Sequence, residues 1–345
     1  MDENRKILCT QPGIFEFISE KIEDHPGKGC ARIKIRRIGI CGSDYHAFRG
    51  EQTFFSYPRV LGHELAGEIV DVNPDSDNGP RVCKAGDRVT VLPYIHCGTC
   101  GACRKGKSNC CEEMQVLGVH IDGGMTEYLD IPLKYVIREE ELSLDALTLI
   151  EPLSIGQHAI SRAGLKNHDS ILVIGTGPIG YGVIFLLHYY GYPVIAMDID
   201  ERRLAFLNDT IPVPTVLKSS SAFQEILEIN DGSLPNVVMD ATGNSQSMNA
   251  SIGYMSHGGK LVFIGHNKQM IQIEDPEFHK KETTLLGSRN AKAVDFKKVI
   301  TILKDSDIDI GSVITRKLNF YNFIDEFNDV LTEKSLSLKV LIDID

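Results

Sequence analysis

From Ser170 to Met197 the chain carries no Asp, Glu, Lys or Arg, yet Gly175, Gly177, Pro178, Gly180, Gly191 and Pro193 punctuate it. A stretch this long without charge has to be buried, and few folds can bury one. A lipid-spanning helix would not be interrupted at such intervals. Instead, Ile171-Leu172-Val173-Ile174 is the short unbroken apolar run of a strand covered on both faces. A helix-period segment follows to His188, and a second run, Val194-Ile195-Ala196-Met197, ends in Asp198. Similar runs recur at Val237-Val238-Met239-Asp240 and Leu261-Val262-Phe263-Ile264. Strands alternating with helices predict an α/β domain with a doubly wound parallel sheet.

Between the first strand and its helix stands Gly175-Thr176-Gly177-Pro178-Ile179-Gly180, a G-x-G-x-x-G turn. Glycines there let the backbone approach a pyrophosphate, and the helix N-terminus stabilises its charge. Asp198 falls 18 residues past Gly180, at the end of the second strand. A carboxylate at that point accepts hydrogen bonds from a ribose diol and repels a 2′-phosphate, which favours NAD over NADP. Arg203 is near enough to offset that repulsion, or to pack along an adenosine. The same residues would also serve an ordinary tight βα turn with Asp198 as a helix cap. Strand, glycines and acid in register favour the nucleotide.

Upstream, Cys97, Cys100, Cys103 and Cys111 are spaced C-x2-C-x2-C-x7-C. Such gaps let four thiolates converge on one ion with no open position, the pattern of a structural zinc. Disulfides are the alternative. Nine cysteines behind an N-terminus without the positive-then-apolar order of a secretory signal point to a reducing, cytoplasmic setting. Cys110 adjoins Cys111 and is left out of the ligand set. Cys9, Cys30 and Cys83 lie on apolar runs and are expected to be small buried hydrophobes.

The 345 residues suffice for two domains, and 42% hydrophobic with 24% charged residues is ordinary for a globular chain. A formal charge of -11 speaks against nucleic-acid binding, despite Arg104, Lys105 and Lys107 in the cysteine lobe. Residues 1 to about 95 read as short strands, among them 31–36, 65–72 and 89–92, separated by turns such as Lys84-Ala85-Gly86-Asp87. Asp75-Ser76-Asp77-Asn78 is expected to be a solvated loop. The lobe at 93–111 is too rich in Gly and Cys for regular structure.

A second donor group precedes the lobe. Cys41 in Gly39-Ile40-Cys41-Gly42-Ser43-Asp44 and His63-Glu64 after Gly62 offer a thiolate, an imidazole and a carboxylate, and Glu151 offers another carboxylate. A catalytic zinc takes about three protein ligands and keeps one position open. Each residue alone has a plain structural use; their combination is what suggests a metal.

With these elements in this order, the chain resembles the zinc-dependent medium-chain dehydrogenases, the alcohol, sorbitol and threonine dehydrogenase family. The likeness rests on Cys41-Gly42-Ser43-Asp44, Gly62-His63-Glu64, the four-cysteine lobe, Glu151-Pro152-Leu153-Ser154 and the Gly175–Gly180 turn. Glu151 in place of a second cysteine resembles the sorbitol dehydrogenase branch. The stretch 54–64 (Phe54 to Glu64), Gly118-Val119-His120, Asp275 to Glu282 and Gly287-Ser288-Arg289-Asn290 are similar to bacterial L-galactonate or L-gulonate 5-dehydrogenases, which oxidise a secondary hydroxyl of a sugar acid.

The resemblance implies a GroES-like β-rich catalytic domain (1–152 and 288–345) and a Rossmann-type NAD domain (153–287). It implies two zincs per chain, NAD, a small polyol or sugar-acid substrate and a homodimer or homotetramer; the charge and the punctuated apolar stretch already speak against nucleic-acid and membrane partners. One zinc would sit on Cys41 and His63 with Glu64 or Glu151, and would acidify the substrate hydroxyl. Ser43 and then His46 would carry the proton away, Asp44 would orient His63, and hydride would pass to NAD. Thr242, Gly243 and Arg289 correspond to cofactor-contacting positions. Arg59, Lys280 or Arg289 would neutralise a substrate carboxylate. The alternatives to this leading reading are threonine, sorbitol or butanediol as substrate on the same scaffold, and a non-catalytic NAD-binding relative.

Overall fold

The structure, a computed structural model, describes residues 3–52, 55–75, 83–332 and 338–345. Phe54 and the loop residues Ser76, Asp77 and Asn78 lie outside the described residues. The chain divides into two compact units, Met1–Glu151 with Val313–Asp345, and Pro152–Ser312.

At the centre of the first unit is the strand Cys30–Ile40. Ile33 and Ile35 alternate with polar residues, but Arg36-Arg37 would turn everything after them to the wrong face. A bulge between Ile35 and Arg37 absorbs the extra residue, so that Ile38 and Ile40 are buried as well. Glu64–Asn73 and Tyr128–Pro132 pair antiparallel with this strand, and Lys339–Asp343 returns from the C-terminus to pair with its last residues. Ile314–Asn319 flanks one side, Arg88–Val91 and Val136–Arg138 the other, making seven strands among the described residues. Glu3–Gln11, Ile14–Lys21 and Arg59–Val60 form a separate three-stranded sheet. Two register points place the chemistry: Gly39 opposes Glu64, and Ile40 opposes Val340. Cys41, Glu64 and Lys339 therefore collect at one end of three adjacent strands.

In the second unit six parallel strands lie in the order Thr215–Leu217, Val194–Asp198, Ile171–Ile174, Val237–Asp240, Lys260–Phe263, Thr284–Gly287. The chain steps outward from Ile171–Ile174 in one direction, then in the other. Such a reversal leaves a crevice beyond the strand ends, where ligands bind in this class of sheet. Leu172, Ile174, Ile195, Met197, Val216, Val238 and Leu261 pack into one core with Ile226 and Met255. The helix Pro178–Tyr189 is buried from Gly180 to Leu187, which accounts for the charge-free stretch.

The expected return of the catalytic domain is at 288, whereas the compact unit that holds the parallel sheet runs on to Ser312. The helix Ala293–Asp305 buries Phe296, Val299 and Ile302, and its Asp295 pairs at 2.9 Å with His158 of the same unit. Both partners are buried, so this helix belongs to the core it clips onto. The cysteine lobe is also more regular than expected, with a short helix at Gly101–Arg104 and a 3-10 turn at Ser108–Cys110. A 20-residue helix, Leu144–Ala163, carries Glu151 and, in its interior, Pro152. Among the described residues no helix is long and apolar enough to cross a membrane.

Candidate functional site

Two groups of donor side chains gather in the first unit. In the lobe, the sulfurs of Cys97, Cys100, Cys103 and Cys111 all lie within 4.8 Å of one another. Backbone N–H groups point at them: Thr99 and Cys100 donate to Cys97 Sγ at 3.4 and 3.3 Å, and Cys97 donates to Cys111 Sγ at 3.3 Å. Those donors hold the Cys97 thiol down to about 6, close to thiolate at neutral pH. Four sulfurs converging on one point, one of them already acidic, fit a tetrahedral zinc. Cys110 is exposed and outside the cluster; Cys9 and Cys83 are buried and Cys30 half-buried.

The second group is Cys41, His63 and Glu64, whose donor atoms likewise lie within 4.8 Å of one another. Glu64 is the first residue of its strand, and a Cβ on the opposing Gly39 would overlap its carboxylate, so only glycine leaves room for it. Gly62 has φ +92°, a conformation open to glycine, and this turn delivers His63 to the pocket. Both oxygens of Glu64 accept from Lys339 Nζ at 2.7 Å, and that ammonium also donates to the Ile40 carbonyl at 3.2 Å. Glu151 is not one of the three converging donors. Its Oε1 instead accepts a hydrogen bond from the buried Tyr94 hydroxyl.

The electrostatics of this pocket call for a cation. Burial lifts the carboxyls of Asp44 and Glu151 above their usual range. Burial alone would lower His63, yet the neighbouring Cys41 sulfur and the carboxylates of Asp44 and Glu151 push it well above its ordinary value. One buried Lys faces a thiol and three buried carboxyls. His63 Nδ1 is moreover buried without a hydrogen-bond partner among the described residues. A divalent ion on this thiolate, imidazole and carboxylate would supply the missing charge, so the donor set fits zinc.

Ser43 and His46 sit on the helix Gly42–Phe48, directly after Cys41. Ser43 Oγ is buried with no partner among the described residues, whereas His46 is exposed and bonded to Glu51 at 3.0 Å. Asp44, expected to orient His63, spends its Oδ2 on the Cys41 N–H at 2.8 Å. It fixes the backbone at Cys41, and its charge helps to raise His63. Arg59 is engaged with Asp122 and Ser56, each at 3.1 Å, and Lys280 with Glu277 at 3.6 Å.

In the second unit the glycine turn has the geometry its sequence predicts. Gly175 has φ +89°, and a Cβ on Gly180 would overlap the Gly175 carbonyl oxygen. Over Gly177 the space is open as far as Arg203 Nη1, 3.9 Å from where a Cβ would stand. Pro178 and Ile179 begin the helix, with the Pro at N1, where its missing N–H costs nothing. Asp198 Oδ2 accepts from Thr176 N at 2.6 Å and from Thr176 Oγ1 at 2.9 Å, tying the strand end to the turn. Arg203 lies 4.0 Å from the same oxygen. Arg289 is exposed just past the edge strand Thr284–Gly287.

Three further residues shape these sites without a prominent sequence signal. Asp240 is wholly buried, and its carboxylate takes hydrogen bonds from Thr242 N and Oγ1, Ser247 Oγ and Ser251 Oγ, which fixes the Thr242-Gly243 turn. Ile199 is 81% exposed beside Asp198, an apolar surface left open at a strand end. Lys339 was hidden because a lone Lys gives no hint of burial. Only the strand pairing reveals it.

Residues 27–141 match the alcohol dehydrogenase GroES-like domain and residues 178–305 the zinc-binding dehydrogenase domain. L-galactonate-5-dehydrogenase of Escherichia coli K12 is 39% identical over 332 residues, 96% of either chain. Sorbitol dehydrogenase of Bacillus subtilis is 29% identical over 318 residues, 90% of this chain and 89% of its own. The alcohol dehydrogenase RspB of E. coli CFT073, solved with NADH, superposes with a TM-score of 0.90 at 28% identity over the whole of both chains. With its two domains matched and its full length shared, the chain belongs to the zinc-binding alcohol dehydrogenase family.

Proposed function

We propose that the protein oxidises a secondary hydroxyl of a polyol or sugar acid of the L-galactonate or L-gulonate kind, with zinc and NAD. The observation that carries this is the convergence of half-buried Cys41 with buried His63 and Glu64, His63 Nδ1 having no hydrogen-bond partner among the described residues. In this reading Cys41, His63 and Glu64 hold the catalytic zinc, and Glu151 stays outside the ligand set, held by Tyr94 to orient what binds there. Cys97, Cys100, Cys103 and Cys111 hold the second zinc. Bound there, the catalytic ion supplies the positive charge that acidifies the substrate hydroxyl. The substrate proton passes to Ser43 Oγ as Ser43 hands its own proton on, through the nicotinamide ribose, to the exposed His46 and solvent. The Gly175–Gly180 turn and helix N-terminus hold the pyrophosphate, Asp198 the adenosine ribose, Ile199 the adenine face, and Arg203 the adjoining phosphate. Thr242, Gly243 and Arg289 complete the cofactor contacts.

The shared length with a galactonate dehydrogenase and with a sorbitol dehydrogenase supports this substrate class. A dimer or tetramer working in the cytoplasm is part of the same reading. The test is a zinc count combined with NADH formation across galactonate, gulonate, sorbitol, threonine and butanediol. Two zincs and turnover of an aldonate are expected. Turnover only of threonine or butanediol would move the substrate, and one zinc without turnover would favour a non-catalytic relative. Removing the charge of Arg59, Lys280 or Arg289 in turn should identify the residue that meets the carboxylate. Its loss is expected to raise KM for the aldonate by about tenfold, in line with losing a charge-assisted bond, and to leave a neutral polyol unaffected. Equal effects on both substrates would remove the idea.

A further inference from the structure

We infer that Lys339 is a positioning residue that governs how firmly Glu64 binds the catalytic metal, by offering that carboxylate a second cationic partner. The inference rests on the zinc-site reading above and concerns a residue that reading does not use.

Glu64 and Lys339 are 1% and 3% exposed, so neither can turn to water. Lys339 Nζ meets both Glu64 oxygens at 2.7 Å, and its remaining reach goes to the Ile40 carbonyl at 3.2 Å. Its donors are all committed inside the protein. The pairing is built into the sheet, since Lys339 opens the strand Lys339–Asp343, which lies antiparallel to the strand leading into Cys41. Glu64 is also one of the three donors that lie within 4.8 Å of one another. It thus has two claimants, the metal and the ammonium.

A buried carboxylate whose only cationic partner was the metal would be held there strongly, because release would leave a desolvated charge unpaired. With Lys339 in place, release leaves an ion pair. Lys339 therefore lowers the cost of detaching Glu64 and drains electron density from it while it is attached. Both effects weaken this third ligand relative to Cys41 and His63, and they let Glu64 yield its position when another oxygen ligand enters. Tyr94 does not play this part, because its hydroxyl is bonded to Glu151.

The experiment follows zinc loss from the holoenzyme to an excess of a chromogenic chelator. The phase that belongs to this site is the one missing in Cys41→Ser. Lys339→Met is expected to slow that phase by about tenfold, a modest change on the affinity scale. In a Glu64→Gln background the same Lys339→Met change should alter it by less than about twofold, as expected of residues that act through one another. A purely structural lysine would give the same change in both backgrounds, and that result overturns the inference. So does an unchanged or faster phase in Lys339→Met alone. Should Lys339→Met not fold, restoration of folding by adding Glu64→Gln supports the inference, and failure of that rescue rejects it. A single zinc per wild-type chain would sink the functional reading and this inference together; two zincs with release indifferent to Lys339 would sink the inference alone.

Discussion

Gly39 shows how much at this site depends on an atom that is absent. It faces Glu64 across two strands, and any side chain there would occupy the space of the carboxylate. Gly39→Ala is expected to displace Glu64, to destabilise the protein by about 1–3 kcal/mol as overpacking does, and to lower zinc retention. Denaturant unfolding and a metal count check both; an alanine variant with normal zinc content would show that Glu64 is not needed there. The sequence displayed Cys41, His63, Glu64 and the four lobe cysteines, the donors that converge in the structure, because residues suited to a metal come in fixed types and spacings. It did not distinguish Glu64 from Glu151, since that depends on which carboxylate the Tyr94 hydroxyl reaches. Nor did it show that Asp44 would cap its own helix instead of reaching His63. Such choices are made by hydrogen bonds over short distances, which residue identity leaves open.

Elements were legible where their pattern was strong. The four-residue apolar strand Ile171–Ile174, the glycine turn and the helix after it lie where periodicity puts them. Thr215–Leu217 and Thr284–Gly287 at the two edges of that sheet went unread, because edge strands bury little and so carry no apolar run. The bulge in Cys30–Ile40 was equally unreadable, since Arg36-Arg37 breaks the alternation on which strand recognition depends. One helix makes a test at this scale. Asp200 caps Glu201–Thr210 by accepting the Arg202 N–H at 3.0 Å, and hydrogen bonding from Arg202 holds its carboxyl down at about 2. Asp200→Ala should cost about 1 kcal/mol, the usual worth of such a cap, with little added by the exposed ion pair. Because the folded-state pKa is depressed, that contribution is fully present above the ordinary 3.8 and disappears as pH falls toward about 2. Urea unfolding of both proteins should give a constant gap from neutral pH down to about pH 5. A gap that closes already in that range would contradict the assignment.

Taken whole, the molecule is one continuous unit inserted into a discontinuous one. All six strands of the nucleotide sheet fall within 152–312. That segment expressed alone is expected to fold and to bind NADH, seen as enhanced and shifted nucleotide fluorescence. Residues 1–151 alone lack Ile314–Asn319 and Lys339–Asp343, two strands of their own sheet, and should remain unfolded by circular dichroism. A folded, zinc-binding 1–151 segment would show that the returning strands are dispensable.

The return of the chain to its starting sheet also sets a timetable. Lys339 lies 275 positions after Glu64, an interval of roughly 14–55 s at about 5–20 residues per second of translation. Throughout it, the nascent first half holds a carboxylate meant for burial with no ammonium to bury it against. The dinucleotide fold can be finished while the pocket of Cys41, His63 and Glu64 still waits for the strand that carries Lys339, so the two halves of the proposed centre ripen in a fixed order.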